Sequence, residues 1–461
     1  MTKDFFPLPD TGLPALEDLL NGHLWARWAE RGKVFPLTDL RHSVRYVRLK
    51  PGVSCRLTVF GEGTAGPDDP PPGFLLKLFP DPEHARGAFR KQQTRVHLIG
   101  KAGYEPFLSL DPPVLALPFP NDPEIPVLRS VYEPARFRRT LMASLSHFPE
   151  QDWRIKKGNI GSDLIAYKPG RRAVYRLRIH LRHRRQAEKA AVQIHAKLSN
   201  EATIAKSRAR LRAVYESIPD DADWRTPQPL GIVESGRFFA CEWLEGTSLE
   251  RYAIEPRSDA PEVFRQVGRC LAQLHSLNLK LEARSAEGEA EQVRSLSVDL
   301  AGLLPSSKST ILQIGEKLAA ALSRLGQLSL TLIHGDFHLG QILMVDGTPC
   351  FVDFDRAGKG PAVLDVGSLH AHLLELNAPS ELSAAFDAGY ASVSGPLPGD
   401  QVRLGTAITV FRRAVIPFRS LDPKWPDETL GRIRMVENLL SAPEDHLVRR
   451  SRRSRPEGPL G

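Results

Sequence analysis

The stretch Leu330–Gly367, LTLIHGDFHLGQILMVDGTPCFVDFDRAGKGPAVLDVG, holds the residues best suited to chemistry. An apolar run breaks at His334-Gly335-Asp336, and Gln341 follows five residues after the Asp. Two short apolar runs, Ile342–Val345 and Cys350–Val352, flank Asp346-Gly347, and Asp353-Phe354-Asp355 closes the segment. An Asp-Gly pair between apolar runs reads as a hairpin turn. This set of groups suits phosphoryl transfer. One carboxylate receives or orients the proton of the attacking hydroxyl, while an amide oxygen and a second carboxylate hold Mg2+ against a polyphosphate. A hairpin can bring Asp336, Gln341 and Asp353 to one spot although they span 18 positions.

The elements that must position such a site are repeated in the N-terminal half. Tyr46–Phe60 (YVRLKPGVSCRLTVF) and Leu164–Ile179 (LIAYKPGRRAVYRLRI) are both β-rich runs broken by Lys-Pro-Gly, with Lys50 and Lys168 118 positions apart. Pro followed by Gly fits the middle of a type II turn, so each reads as a hairpin. Phe74–Gln92 and Val192–Arg212 are each an apolar strand with a Lys, then a helix, and Lys77 and Lys197 are 120 positions apart. A helical stretch precedes each hairpin, Ala15–Gly32 and Ala135–Phe148. One module therefore occurs twice. Gly61–Gly73 is a Pro/Gly-rich loop inside the first copy, and its counterpart Leu181–Ala190 is charged. From about Glu245 the pattern turns helical, with apolar residues at helical spacing in Pro261–Leu277, Thr310–Leu328, Ser380–Val393, Arg403–Leu421 and Asp427–Ala442.

On these motifs the sequence resembles the aminoglycoside phosphotransferase family, with the choline kinases, the maltokinases and the wider protein-kinase-like fold behind it. His334, Gly335 and Asp336 match the family's catalytic loop, Gln341 occupies its Asn position, and Asp353 matches its metal-binding Asp. Pro361, Asp365 and Gly367 match a later Pro-x-x-x-Asp-φ-Gly pattern. The resemblance implies an α+β, two-lobed kinase-like fold with a mostly helical C-terminal lobe, preceded by a degenerate duplicate of the β-rich lobe. The corresponding units are residues 1–130, 131–245 (nucleotide lobe), 246–448 (helical catalytic lobe) and a basic, disordered tail, 449–461.

The resemblance also assigns roles. Asp336 is the catalytic base, and Gln341 and Asp353 bind Mg2+. His334 orients the loop, and Asp365 bonds its backbone. Lys197 holds the α/β-phosphates of ATP, and Glu242 and Trp243 meet the purine. No glycine-rich phosphate loop is present; Lys168-Pro169-Gly170-Arg171-Arg172 takes its place, with Arg171 or Arg172 as phosphate contacts. Glu216 is the best candidate for a helix Glu paired with Lys197. Asp355 either adds a metal ligand or pairs with Arg356. His338 and His275 read as packing residues.

Composition narrows the alternatives. The 461 residues carry a net charge of +8, and Arg449–Gly461 has five Arg against one Glu, so half of the excess lies in the tail. The body is too nearly neutral for a nucleic-acid binder, apart from weak contacts of that tail. No run of 18 apolar residues exists, the start lacks a secretory stretch, and Cys55, Cys241, Cys270 and Cys350 form no clustered pair, as a reducing cytoplasm allows. The leading reading is an ATP-dependent phosphotransferase that moves the γ-phosphate to a hydroxyl of a small polar molecule. A maltokinase-like carbohydrate kinase and a pseudokinase acting as a nucleotide-binding or scaffolding module stay open.

Overall fold

The computed structural model describes residues 12–20, 24, 28, 42–61, 70–71, 73–93, 106–145, 148–232, 237–255, 257–326 and 329–442. The basic tail, most of the Gly61–Gly73 loop and much of Ala15–Gly32 lie outside them.

The N-terminal half contains two five-stranded antiparallel sheets. The first comprises β1 (His42–Lys50), β2 (Ser54–Gly61), β3 (Gly73–Leu78), β4 (Phe107–Leu110) and β5 (Pro113–Pro118), in the order β1-β2-β3-β5-β4. The second comprises β6 (Trp153–Lys168), β7 (Arg172–His183), β8 (Lys189–Ser199), β9 (Pro229–Ile232) and β10 (Phe238–Glu242), in the order β6-β7-β8-β10-β9. The helix α1 (Pro14–Leu20) precedes the first sheet, and α2 (Pro82–Gln93) follows its third strand. Likewise α3 (Pro134–Ser144) precedes the second sheet, and α4 (Glu201–Tyr215) follows its third strand. Both Lys-Pro-Gly turns need a residue with positive φ, and Gly52 and Gly170 supply it at +68° each.

Beyond residue 246 the chain is mostly helical: α5 (Leu249–Ile254), α6 (Ala260–Ser276), α7 (Ala286–Leu303), α8 (Lys308–Leu325), α9 (Val363–Glu375), α10 (Ser380–Ser394), α11 (Gly399–Arg413), α12 (Ile416–Arg419) and α13 (Trp425–Ser441). The expected single helix over Arg403–Leu421 is two, because Pro417 lacks an N–H to continue the first and suits the opening turn of the second. The helix α7 has no counterpart in the sequence reading. Among the described residues five short strands run between the helices: β11 (Thr247–Ser248), β12 (Thr331–Ile333), β13 (Ile342–Val345), β14 (Thr348–Phe351) and β15 (Gly358–Gly360). They form two small sheets, β11-β13-β14 and β12-β15. The helices α9 and α11 cross backbone to backbone: a Cβ on Gly367 would lie 2.4 Å from the carbonyl carbon of Gly405. Only glycine permits that approach, and it fixes the helix that carries Asp365.

The first module packs on both lobes. One apolar cluster runs from Leu16, Leu57 and Leu76 into Phe264, Leu300 and Phe411 of the helical lobe. A second joins Phe60 and Phe119 to Tyr175, Leu177 and Ala196 of the second sheet. The turn apex at Gly170 is tied down by Asp122, whose Oδ2 accepts from the Gly170 N–H (2.7 Å) and the Tyr167 hydroxyl (2.8 Å). Among the described residues no helix is long and apolar enough to cross a membrane.

Candidate active site

The catalytic-type loop leaves β12 and is held from beneath by Asp365, in the first turn of α9. Asp365 is 1% exposed. Its Oδ2 accepts from the His334 N–H at 2.6 Å and its Oδ1 from the Gly335 N–H at 2.9 Å. His275 Nε2 lies 3.2 Å from the same Oδ2, and its Nδ1 is 2.9 Å from the Tyr390 hydroxyl. Burial alone would raise the Asp365 carboxyl, but His275, His334 and the Gly335 amide outweigh it and hold it below the usual carboxylate range. His334 is fully buried and its Nε2 donates to the Val352 carbonyl at 2.9 Å, which ties the loop to the end of β14. His275, read from the sequence as a packing residue, is thus a polar partner of this anchor. A lone His in an apolar helix gives no local sign of a partner so distant in sequence.

Asp336 lies at the mouth of a cleft of about 460 Å³, with its side chain 41% exposed and Arg356 Nη1 at 3.9 Å. The β13–β14 hairpin sets the next two positions. Gln341 accepts the Val352 N–H at its backbone oxygen (3.0 Å), and Ile342 pairs with Phe351, so Gln341 and Asp353 emerge at the same end. The Asp346-Gly347 turn has φ of 50° and 80°, as an Asp-Gly hairpin requires. Asp353 itself has a left-handed φ of 62°.

Lys197 projects from β8, where it pairs with Val174 and Phe239, and its side chain is only 6% exposed. Its Nζ is 3.0 Å from Asp353 Oδ1 and 2.7 Å from Asp355 Oδ1. Arg172 Nη1 adds contacts of 3.6 Å to Asp353 and 3.1 Å to Asp355. Burial works against both charge signs here, yet the pairing wins. Lys197 is held above its ordinary value, and Asp353 well below the carboxylate range. Asp355 therefore faces Lys197 and Arg172 rather than Arg356. Glu216 is not the partner of Lys197: it ends α4 on the solvent side and pairs with Arg212 Nε at 2.6 Å.

The carboxylates gathered at this corner, Asp353 and Asp355, offer hard oxygens, and the Gln341 amide, carried at the same end of the hairpin, would add another. That chemistry fits Mg2+, which is ordinarily bound through one or two carboxylates plus substrate phosphates. Among the described residues no group of three or more His, Cys, Asp or Glu is placed to hold a metal ion.

Glu242 and Trp243, the expected purine contacts, each have protein partners. The Glu242 carboxylate binds Arg225 Nη1 at 3.1 Å and the Gln228 N–H at 3.2 Å. The Trp243 N–H donates to the Gln193 carbonyl at 3.3 Å, and Arg176 lies 4.9 Å over its ring. The two basic residues after the turn separate: Arg172 joins the carboxylate pair, whereas Arg171 lines the Asp336 cleft. His338 caps its own turn by accepting from the Gly340 N–H (3.1 Å) and stacks on His372 at 4.7 Å. Lys77, the first-module counterpart of Lys197, lines a separate cavity of about 620 Å³ with Arg56, Glu124 and Gly170.

Residues 172–401 match the phosphotransferase enzyme family (APH). Stress response kinase A of Escherichia coli (strain K12) is 37% identical over 120 residues, which is 24% of this chain and 36% of that protein. The protein of the same name from Salmonella typhi is 35% identical over 133 residues, 26% of this chain and 40% of its own. The chain thus spans less than half the length of the curated relatives it matches. Among solved structures, a choline kinase from Cryptosporidium parvum aligns with a TM-score of 0.43 at 10% identity, over 62% of this chain and 90% of that one. An aminoglycoside-3'-phosphotransferase of type VIII aligns with a TM-score of 0.41 at 19% identity, over 59% of this chain and 98% of that one.

Proposed function

We infer that this chain, whose residues 172–401 belong to the phosphotransferase enzyme family, transfers the γ-phosphate of ATP to a hydroxyl of a small polar molecule. The observation that carries the reading is the Lys197–Asp353–Asp355 cluster beside a loop whose Asp336 is exposed to a cleft and whose backbone is held by Asp365. In this reading Lys197 and Arg172 turn to the α/β-phosphates when nucleotide arrives. Asp353, Asp355 and Gln341 would hold Mg2+, which would offset the negative charge of the polyphosphate. Asp336 takes the acceptor's hydroxyl proton as that oxygen bonds to the γ-phosphorus, and the β–γ bridging oxygen leaves with ADP. Lys168, which starts the turn, lines the same cleft as Asp336. The reaction belongs in the cytoplasm, where ATP is available. Residues 1–130 are a duplicate of the nucleotide lobe that has lost its ATP site, supported by the shared strand order of the two sheets.

One observation favours a second reading, a pseudokinase that binds nucleotide without turnover: Gln341 stands where the family has Asn, one methylene longer. The deciding experiment is ADP release from Mg-ATP by the purified full chain across a panel of hydroxylated small molecules. Acceptor-dependent release that Asp336→Ala abolishes supports the kinase. Mg-dependent nucleotide binding with no release for any acceptor supports the pseudokinase. Absence of nucleotide binding sinks both.

A further inference from the structure

The cleft that holds Asp336 is far more cationic than proton abstraction requires. Seven Lys and Arg side chains line it against two carboxylates, Asp336 and Asp365. Asp365 is already committed to the loop amides and His275, so Asp336 alone presents negative charge. The cations fall into two sets. Arg284 and Arg412 share Glu289, and Arg413 pairs with Glu375 at 2.9 Å. Lys168, Arg171 and Arg419 make no ion pair within 4 Å among the described residues, although Asp299 attracts Arg419 from its far side and Asp336 attracts Lys168, and Arg356 reaches only 3.9 Å from Asp336. An aminoglycoside or a quaternary amine placed here would meet like charge on most sides, which at a few ångströms is repulsive.

The titrating groups register the same field. Burial, then Arg172 and Arg171, hold the Lys168 ammonium below its ordinary value. Burial lowers Arg412 to about 10 against the pull of Glu289, with Arg356 and Arg284 adding to the drop. Burial and the neighbouring Arg413 push His372 down to about 2, so its ring stays neutral beside His338.

The geometry points to an acceptor that brings its own negative charge: a hydroxylated small molecule bearing a phosphate or carboxylate group, gripped by Lys168, Arg171 and Arg419 with its hydroxyl at Asp336. This inference rests on the phosphotransferase reading of the same site. The guanidinium fork suits either anion, since both offer paired oxygens. The volume suits a small molecule. Tyr46 reaches the same cleft, so the first module contributes to the acceptor site.

The test is calorimetric binding to the full chain loaded with Mg2+ and a non-hydrolysable ATP analogue, which blocks the nucleotide's own phosphate sites. The probes are glycerol 3-phosphate, glycerate, glycerol, choline and kanamycin. Glycerol 3-phosphate or glycerate is expected to bind, and glycerol, choline and kanamycin at least tenfold more weakly. Preference for the first over the second identifies phosphate as the recognised group, and the reverse identifies carboxylate. Arg419→Glu and Arg171→Glu, both at exposed positions, are expected to weaken the anion at least tenfold. Raising salt on the unaltered protein is expected to weaken it as well. Tighter binding of choline or kanamycin, no anion binding, or anion binding indifferent to both substitutions and to salt overturns the proposal. Failure of the phosphotransferase reading looks different: no ADP release with any acceptor, while the anion still binds.

Discussion

Lys197 and Asp355 are joined by a 2.7 Å ion pair that ties the third strand of the second sheet to the loop after β14. The lysine of a kinase-like nucleotide lobe ordinarily pairs with a Glu from the following helix. Here α4 offers no such Glu; Arg210 of that helix donates to the Asp355 carbonyl instead. The second sheet and the helical part of the chain are thus linked through Asp353 and Asp355 themselves, so in the proposed reaction nucleotide phosphates and Mg2+ would have to compete with, and replace, this pairing.

Asp336→Ala is expected to lower the transfer rate by about 10²–10⁴ while nucleotide affinity stays within a small factor. In the proposed reaction Asp336 meets the acceptor, and it makes none of the ion pairs around Lys197. Single-turnover ADP formation beside a nucleotide titration checks it; near-full turnover on the true acceptor refutes the role.

Asp353→Asn is expected to raise the Mg2+ concentration needed for half-maximal rate by tenfold or more, because a full negative charge is lost next to a dication. Gln341→Asn is expected to be neutral or beneficial, and Gln341→Ala harmful. A Gln341→Ala protein with unaltered Mg2+ dependence removes Gln341 from the metal site.

Lys197→Ala is expected to raise the ATP KM, and Lys77→Ala to leave it unchanged. The two lysines occupy equivalent third strands, but only Lys197 meets the Asp353 loop. Steady-state kinetics on both variants decide it, and sensitivity at Lys77 alone would move the ATP site to the first module.

Asp365→Asn is expected to cost about 1–3 kcal/mol of stability, since an amide can accept only one of the two loop N–H bonds. The Asp365 pKa is depressed by folding, so its contribution is fully present above the ordinary carboxylate range and lost as pH falls through the folded value. The unaltered protein is therefore expected to lose stability more steeply below about pH 4 than the variant. Denaturant melts at pH 3 to 7 measure the difference, and parallel curves would count against it.

Local patterns carried much of this. The hairpins at Lys50-Pro51-Gly52 and Lys168-Pro169-Gly170 and the loop from His334 to Asp353 were legible because turn residues and strand alternation act over a few positions. The pairing of Lys197 with Asp355, across 158 positions, has no such signature. Nor does the sharing of Glu289 by Arg284 and Arg412. A surface Glu at helical spacing looked like a fit partner for Lys197, yet Glu216 falls past the end of α4 and faces solvent. The break between α11 and α12 followed from one proline whose effect depended on which turn it entered.

The grip of Asp122 on the Gly170 turn predicts that the two halves of the chain are not readily separated. A chain shortened to residues 131–461 would lose the acceptor for both the Gly170 N–H and the Tyr167 hydroxyl. It would also lose the Phe119 ring that meets Tyr167 at 5.2 Å. Buried donors left without partners, and an apolar seam opened to water, are costs a marginally stable protein does not tolerate easily. If residues 1–130 are a duplicate that has lost its ATP site, as proposed, sequence drift at Asp122 and Phe119 would be constrained by the turn and ring they hold in the neighbouring sheet rather than by a ligand.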